Sequence, residues 1–269
     1  MIGLAVGLLG AFVAIERRSD APLVPFRIFR LRTLTAANVI GLLVGGSLIS
    51  MFFFITLYMQ QVLGYGAIEA GLAYLPLALT IIVASGLAAQ LITRIGFKPV
   101  LAVGMVLIGG ALVWFAQVLV SGAFASDILG PSLLAGAGLG FAFVPTTIAA
   151  VSGVREQESG LASGLINTSQ QIGGAFGLAL LATIANSRTD DLMAGAGGDP
   201  TAVKEALTAG FQSAFLGGAV IAALGVLLTI VLLPSRHSRA RVMLKRPRLA
   251  NARSQRGGLG HDRSSARHG

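Results

Sequence analysis

The chain has few of the residues that most often carry catalysis. It has no cysteine, which excludes disulfides, thiolate metal sites and a cysteine nucleophile. Its three histidines, His237, His261 and His268, all lie in the polar C-terminal segment, so none can join a catalytic triad or a metal cluster elsewhere in the chain. Only 12% of its residues are charged. These absences predict a protein that is not an enzyme and that has no metal site and no cofactor.

Long apolar runs fill most of the chain instead. With 54% hydrophobic residues and a mean hydropathy of +0.80, a soluble domain of this length would lack the polar surface to stay dispersed. A bilayer core of about 30 Å needs roughly 20 apolar residues in helical form. Six stretches meet this length and predict an all-α membrane protein: 34–58, 67–92, 100–120, 128–151, 160–184 and 211–233.

Lysine and arginine are distributed unevenly among the connections between these runs. Eighteen of the twenty lie before the first run, in the connections near 93–99 and 152–159, or after residue 233. The connections 59–66 and 121–127 contain none. Because cytoplasmic loops retain Lys and Arg, this alternation predicts a multi-pass protein of the cell membrane whose C-terminus is cytoplasmic.

The two ends of the chain differ from the six runs. Residues 1–15 are apolar but too short to cross comfortably, and their basic residues follow the apolar run, whereas a signal peptide carries them in front. We therefore expect 1–15 to be the truncated end of a transmembrane helix, 16–33 a cytoplasmic connection and 34–233 the bundle. Residues 234–269 are predicted to be a basic, disordered cytoplasmic tail. No aromatic platform accompanies its charge, so we expect contact with the lipid bilayer and no nucleic-acid partner.

Several short strings occur in a fixed order before and within these spans. They are ERR at 16–18, PLV at 22–24, FRLR at 29–32, LYMQQVLGY at 57–65, EAGL at 69–72 and GLASG at 160–164. From residue 15 to about 233 the chain thereby resembles the fourteen-helix drug:proton antiporters of the major facilitator superfamily, which are multidrug resistance efflux transporters.

This resemblance implies a function and a partner. The six spans would form the C-terminal six-helix bundle, with residues 1–15 closing the helix before it and an N-terminal bundle missing. Substrate passes between two such bundles, so the implied function is the C-terminal half of a proton-coupled multidrug efflux transporter, inactive without the other half. The implied ligands are protons and a small lipophilic or cationic substrate. The alternative is a non-transporting remnant or a membrane interaction module.

Polar side chains within the spans are the candidates for a substrate cavity. Asn167, Gln170 and Gln171 are spaced to share a helical face, and an amide in hydrocarbon needs protein or water beside it. They could equally hydrogen-bond between packed helices. Asn38, Phe52 and Thr56 lie in the first span, which lines the cavity in the resembled family. The alternative for Phe52 is packing or contact with lipid.

Small residues and prolines are candidates for helix packing and gating. Glycines spaced four apart permit close helix crossings, and prolines can kink or unwind a helix. The candidates are Gly41, Gly45, Pro76, Pro131, Gly136, Gly140, Pro145, Gly160, Gly164, Gly173 and Gly177.

Two further positions follow from the connections. The loop at 93–99 matches the superfamily's basic loop motif at Arg94, Gly96 and Lys98, whereas Thr93 replaces its aspartate, so a charge pair there is in doubt. Glu69 is the single acid inside an assigned span and the candidate for proton coupling. It lies near the outer end of that span, where a surface role is the alternative.

Overall fold

The computed structural model describes residues 2–18, 26–194 and 199–233, and every regular element within them is helical. Shorter turns accompany the α-helices: 3₁₀ turns at Phe26–Arg30 and Glu156–Glu158, and π-helical turns at Tyr58–Val62 and Phe124–Leu129. The α-helices are α1 (Ile2–Arg18), α2 (Arg32–Leu57), α3 (Ala67–Ala73), α4 (Leu75–Ile95), α5 (Phe97–Phe115), α6 (Gly130–Val151), α7 (Ser159–Met193) and α8 (Pro200–Leu232).

The predicted all-α membrane fold is confirmed. Five helical stretches are long and apolar enough to cross a membrane, and each coincides with a predicted span: Arg32–Val62, Ala67–Ile95, Phe97–Phe115, Phe124–Val151 and Pro200–Leu232. The sixth predicted span is α7, which has the length but is not among the five. Its first half carries three side-chain amides that lower its hydropathy, so its crossing stays a prediction.

The last two helices are longer than the hydropathy pattern predicts. That pattern ends one span at 184 and begins the next at 211, whereas α7 continues to Met193 and α8 begins at Pro200. The Asp199 carboxylate caps α8 by accepting a 3.0 Å hydrogen bond from the backbone N–H of Thr201. Thr189 donates to the Ala206 carbonyl at 3.3 Å, which joins the two polar extensions. Hydropathy marks only the apolar part of a helix, so it missed these turns.

Helix α2 lies at the centre of the bundle. It packs along α7 and also contacts α8 and α6, while α5 packs against α6 and α8, and α4 against α6. The contacts between α2 and α7 advance in the same direction, since Gly41 faces Ile166 and Gly46 faces Gly177. The two helices are therefore parallel, as three intervening spans require.

Glycine allows the backbones of α2 and α7 to touch. A Cβ placed on Gly45 would overlap the Gln170 carbonyl, and one on Gly173 would overlap the Leu42 carbonyl. A Cβ on Gly177 would lie 2.6 Å from the Gly46 Cα. We call this contact the glycine seam; its members are Gly41, Gly45 and Gly46 of α2 with Gly173 and Gly177 of α7. At Gly45, Gly173 and Gly177 a side chain would collide with the backbone of the facing helix.

Gly136 and Gly140 of α6 allow a similarly close contact with α4, whereas Gly160 and Gly164 of α7 lie at no helix contact within the described residues. A Cβ on Gly136 would lie 2.8 Å from the Leu77 carbonyl oxygen, and one on Gly140 would lie 2.7 Å from the backbone nitrogen of Ser85. Gly160 and Gly164 differ, because no described atom comes within 4 Å of a Cβ built on either. A helix crossing at this pair stays a prediction.

The apolar core has two parts. The larger part runs through α2, α5, α6 and α8 and includes a group of aromatic rings, in which Phe215 lies 5.4 Å from Phe115 and 6.3 Å from Phe54 between ring centroids. The smaller part joins the start of α2 to the ends of α6 and α7 and includes Ile28, Leu34 and Ile166. Because lipid is as apolar as these side chains, it is their close packing that holds the helices together.

The ends of the chain were predicted separately from the bundle. The helix expected at 1–15 extends from Ile2 to Arg18, and every α1 side chain whose exposure is described is exposed, including Leu4, Leu8 and Ile15. The connection predicted at 16–33 is therefore partly helical. The predicted basic tail, 234–269, lies outside the described residues.

Candidate functional site

Two groups of polar and aromatic side chains lie on opposite sides of the level at which Gly46 meets Gly177. The names of the two patches follow the topology predicted from the sequence. The inner polar patch contains Asn38, Asn167, Ser169, Gln170 and Gln171, and the outer aromatic patch contains Phe52, Thr56 and Tyr74. Along helices that rise 1.5 Å per residue, each patch lies roughly 9–15 Å from that level. The α2 helix contributes to both patches, with Asn38 in the inner one and Phe52 and Thr56 in the outer one.

The inner polar patch connects α2 to α7. The Ser169 hydroxyl donates to Asn38 Oδ1 at 2.8 Å, and Asn38 Nδ2 donates to the Leu34 carbonyl at 2.9 Å. Gln170 is buried against the glycine seam, and its Nε2 has no hydrogen-bond partner among the described residues. An interhelical hydrogen bond therefore joins α2 and α7 through Ser169, a residue that the sequence reasoning did not select.

The three amides of α7 do not share one environment. Gln170 is only 8% exposed, whereas Asn167 and Gln171 are exposed. Adjacent positions such as 170 and 171 differ by about 100° around a helix, which explains the division. Thr168 is also exposed, and its hydroxyl donates back to the Gly164 carbonyl at 2.9 Å. The exposed side of α7 is thus polar in its first half.

The outer aromatic patch is organised by a residue that the sequence reasoning missed. The Tyr74 ring stacks on Phe52 with 5.1 Å between centroids, and its hydroxyl lies 2.9 Å from the Phe52 carbonyl oxygen and 2.8 Å from Thr56 Oγ1. Thr56 also donates to the Phe52 carbonyl at 2.7 Å. Of the three successive phenylalanines, Phe54 is buried, Phe53 is exposed and Phe52 is half-buried. A tyrosine directly before Leu-Pro in an apolar run was the available signal.

The outer aromatic patch lies where the second predicted span is divided into two helices, α3 and α4. Helix α3 ends at Ala73, and α4 begins at Leu75 with Pro76 in its first turn. Proline cannot donate a backbone hydrogen bond, so it is tolerated at a helix start. Pro131 likewise begins α6, and of the three candidates only Pro145 lies inside a helix. Pro76 and Pro131 therefore lie at the starts of helices. Tyr74, between α3 and α4, hydrogen-bonds to α2.

In the part of the chain that the structure describes, the buried hydroxyls of Ser47, Ser50 and Ser132 lack the hydrogen bonds that threonine hydroxyls of the bundle make. The hydroxyls of Thr80, Thr146 and Thr229 donate to the carbonyl four residues earlier. Ser47, Ser50 and Ser132 have no hydrogen-bond partner among the described residues, although each is at most 2% exposed. Removing a hydroxyl from such a position costs no hydrogen bond, unless a water is bound there.

The basic loop motif between α4 and α5 contacts the C-terminal end of α8 through Lys98. Gly96 has φ +89°, a conformation that favours glycine, and so permits the tight turn. The half-buried Lys98 donates from Nζ to the carbonyls of Ile230 at 2.7 Å and Leu233 at 2.8 Å. Thr93, in place of the motif's aspartate, donates to the Gln90 carbonyl. The candidate Lys98 thus binds within the bundle, and Arg94 is an exposed residue in the last turn of α4.

Glu69 lies in the first turn of α3 and is exposed. Its side chain is therefore not enclosed by the helices of this bundle. Within the described ranges no three histidine, aspartate or glutamate side chains come together in a way that could hold a metal ion.

Comparison with known proteins places this arrangement in a family. Residues 3–178 match the profile of the Major Facilitator Superfamily. The cephamycin export protein CmcT of Amycolatopsis lactamdurans is 38% identical over 236 residues, which cover 86% of this chain and 46% of that protein. The puromycin resistance protein pur8 of Streptomyces alboniger is 32% identical over 248 residues, covering 89% of this chain and 48% of that protein.

A third relative, the tetracenomycin C resistance and export protein of Streptomyces glaucescens, is 33% identical over 191 residues, covering 71% of this chain and 35% of that protein. The chain therefore spans about half the length, or less, of these curated relatives. What they export or resist is a property of those longer proteins.

Proposed function

Because this chain belongs to the Major Facilitator Superfamily, and is thus a transporter of the membrane and not an enzyme, we propose that it is the C-terminal half of a proton-coupled multidrug efflux transporter. In this proposal it works only when an N-terminal bundle is supplied. It crosses the cell membrane six times, with the C-terminus in the cytoplasm. The names of its relatives support drug export as the function.

The observation that carries the proposal is the exposed polar side of α7. Asn167, Thr168 and Gln171 lie exposed on a helix whose other side packs against α2. Exposed amides facing lipid hydrocarbon are unfavourable because lipid offers them no hydrogen-bond partner. Gly160 and Gly164 leave open space on the same side. A second bundle, with a wet cavity between the two, would satisfy the amides and fill this space.

The side chains of the two patches support a substrate class. The inner polar patch offers amides and a hydroxyl, and the outer aromatic patch offers the stacked rings of Phe52 and Tyr74. Apolar and aromatic walls with a few polar groups suit a small lipophilic molecule, and aromatic faces also attract cations. We expect Asn38, Phe52, Thr56, Asn167 and Gln171 to border the cavity and Gln170 to brace the seam behind it.

Proton coupling is assigned to the other half. Glu69 is exposed at the end of its span, so it lacks the enclosed surroundings in which a carboxyl group exchanges protons in step with a substrate. The chain alone is accordingly expected to confer no drug resistance. Resistance conferred by this chain alone, and abolished by Glu69→Gln, would overturn this assignment.

The test uses the natural absence of cysteine, because an introduced thiol is then the only one in the chain. Gln171→Cys probes the exposed polar side of α7, and Val103→Cys on α5, which is also exposed, is the lipid-facing control. With an N-terminal half of a relative co-expressed, a water-soluble maleimide should label the Gln171→Cys variant, and substrate should protect it. The Val103→Cys variant should stay unlabelled. Drug accumulation is measured in the same cells.

Two results would contradict the proposal. Equal, substrate-independent labelling at both positions would mean that the α7 surface borders no cavity. Failure of every co-expressed N-terminal half to lower drug accumulation, in cells where the two halves copurify, would favour a non-transporting remnant or a membrane interaction module.

A further inference from the structure

Two arginines from different connections converge on one carboxylate at the end of the bundle where α2 and α7 begin. Arg27 precedes α2, Arg155 precedes α7, and the Nη2 atom of each lies 2.7 Å from the same oxygen, Oε1 of Glu158. The two nitrogens are therefore no farther apart than twice that distance. We call Arg27 and Arg155 the arginine clamp.

The clamp presents positive charge outwards. The side chains of Arg27 and Arg155 are 54% and 61% exposed, whereas that of Glu158 is 15% exposed. One carboxylate shared by two guanidinium groups leaves one positive charge unbalanced. Arg30 and Arg32 are close to Arg27 in sequence and are also exposed, whereas Glu156 adds one exposed acid, so the net charge here stays positive.

The clamp is fixed in place by its neighbours. Ile28, next to Arg27, is 2% exposed and belongs to the smaller core together with Leu34 and Ile166. The Thr35 hydroxyl donates to the Phe29 carbonyl at 2.8 Å, which attaches the Phe26–Arg30 turn to α2. The Phe29 side chain is 43% exposed. The turn therefore presents arginine and an apolar ring together, directly before an apolar span.

We propose that the arginine clamp binds the phosphate group of an anionic phospholipid. The clamp lies at the end of an apolar span, where lipid headgroups are found. Two guanidinium groups this close can both donate to one phosphate, and arginine suits phosphate because its donors form a planar fork. Phe29 lies where it can contact the acyl chains of the same lipid. The inference does not depend on transport, because it concerns only the surface of this bundle.

Native mass spectrometry of the purified full-length chain tests the proposal by counting retained lipids. Phosphatidylglycerol should be retained in preference to phosphatidylcholine. Each basic residue beside an anionic lipid contributes about five-fold in affinity, so the double variant Arg27→Gln, Arg155→Gln should lose roughly 25-fold. The matched control, Arg188→Gln with Lys204→Gln, removes the same charge from the last turns of α7 and the first turns of α8 and should change retention less than about two-fold.

A gain-of-binding variant keeps the proposal testable if the double variant fails to fold. Glu158→Gln removes the competing carboxylate, so retention of phosphatidylglycerol should increase about five-fold. Equal losses in the clamp variant and the control would show diffuse charge attraction and overturn the clamp. Weaker retention in Glu158→Gln, or binding of inorganic phosphate with no preference for phosphatidylglycerol over phosphatidylcholine, would also overturn it.

Discussion

Replacing Lys98 by methionine should loosen the end of α8. The Lys98 ammonium group donates to the carbonyl of Ile230, in the last turn of α8, and to the carbonyl of Leu233, the residue that follows the helix. The last four carbonyls of a helix have no amide partner within it. Methionine keeps most of the apolar stem and removes the charge and both hydrogen bonds. The substitution therefore isolates the capping interaction from the packing of the side chain.

The expected size of the effect follows from these two bonds. A hydrogen bond from a charged donor contributes about 1.5–3 kcal/mol, and a cation at a helix C-terminus adds about 0.3–1 kcal/mol. Lys98 is only half-buried and must order a long side chain, which offsets part of this gain. We expect a net loss of about 1.5 kcal/mol, which is roughly a tenfold increase in opening of the last turn.

Hydrogen exchange measures this opening directly. Amides near Thr229 and Leu233 should exchange roughly tenfold faster in Lys98→Met, while amides in the middle of α8 stay unchanged. Lys204→Met is the matched control, because it makes the same substitution at the opposite end of α8, where Lys204 is exposed. Equal exchange at the last turn in wild type and Lys98→Met, or an equal effect from Lys204→Met, would refute the capping role.

Three further predictions concern the stability of the purified chain in detergent, measured as its unfolding midpoint. Gly45→Ala should destabilise the chain by about 1–3 kcal/mol because the added methyl group meets the α7 backbone. The control Gly164→Ala should be neutral or stabilise the chain by up to about 1 kcal/mol. Equal effects of the two substitutions would contradict the glycine seam. Tyr74→Phe should cost about 0.6–2 kcal/mol for its lost hydrogen bonds, and an equally large loss in Tyr65→Phe would count against it. Ser47→Ala should stabilise by about 1 kcal/mol if its site is dry, and a loss of similar size would show a bound water.

The membrane fold could be predicted from hydropathy because a bilayer imposes a minimum apolar length on every span. Five predicted spans coincide with described helices for that reason. The ends of α7 and α8 could not be predicted in the same way. Their outer turns are polar and are joined by Thr189 and Ala206, a contact between residues far from the apolar pattern.

The candidate site was only partly predictable. Helical spacing identified the amides of α7, but it could not show that Gln170 faces α2 while Gln171 is exposed, because that depends on how the helix is rotated in the bundle. Tyr74 was missed because its role requires the break before Pro76 to lie beside α2. Sequence spacing carries no information on which helices become neighbours.

The glycine seam constrains how this bundle can deform. With carbonyl groups of each helix directly against glycines of the other, α2 and α7 cannot rotate about their own axes or slide lengthwise without backbone collision. The two helices should therefore move as one rigid body. Any large displacement must then occur at the borders of this pair, such as the interruption near Tyr74 between α3 and α4. Spectroscopic distance labels on α2 and α7 would report a constant separation throughout the transport cycle that we propose.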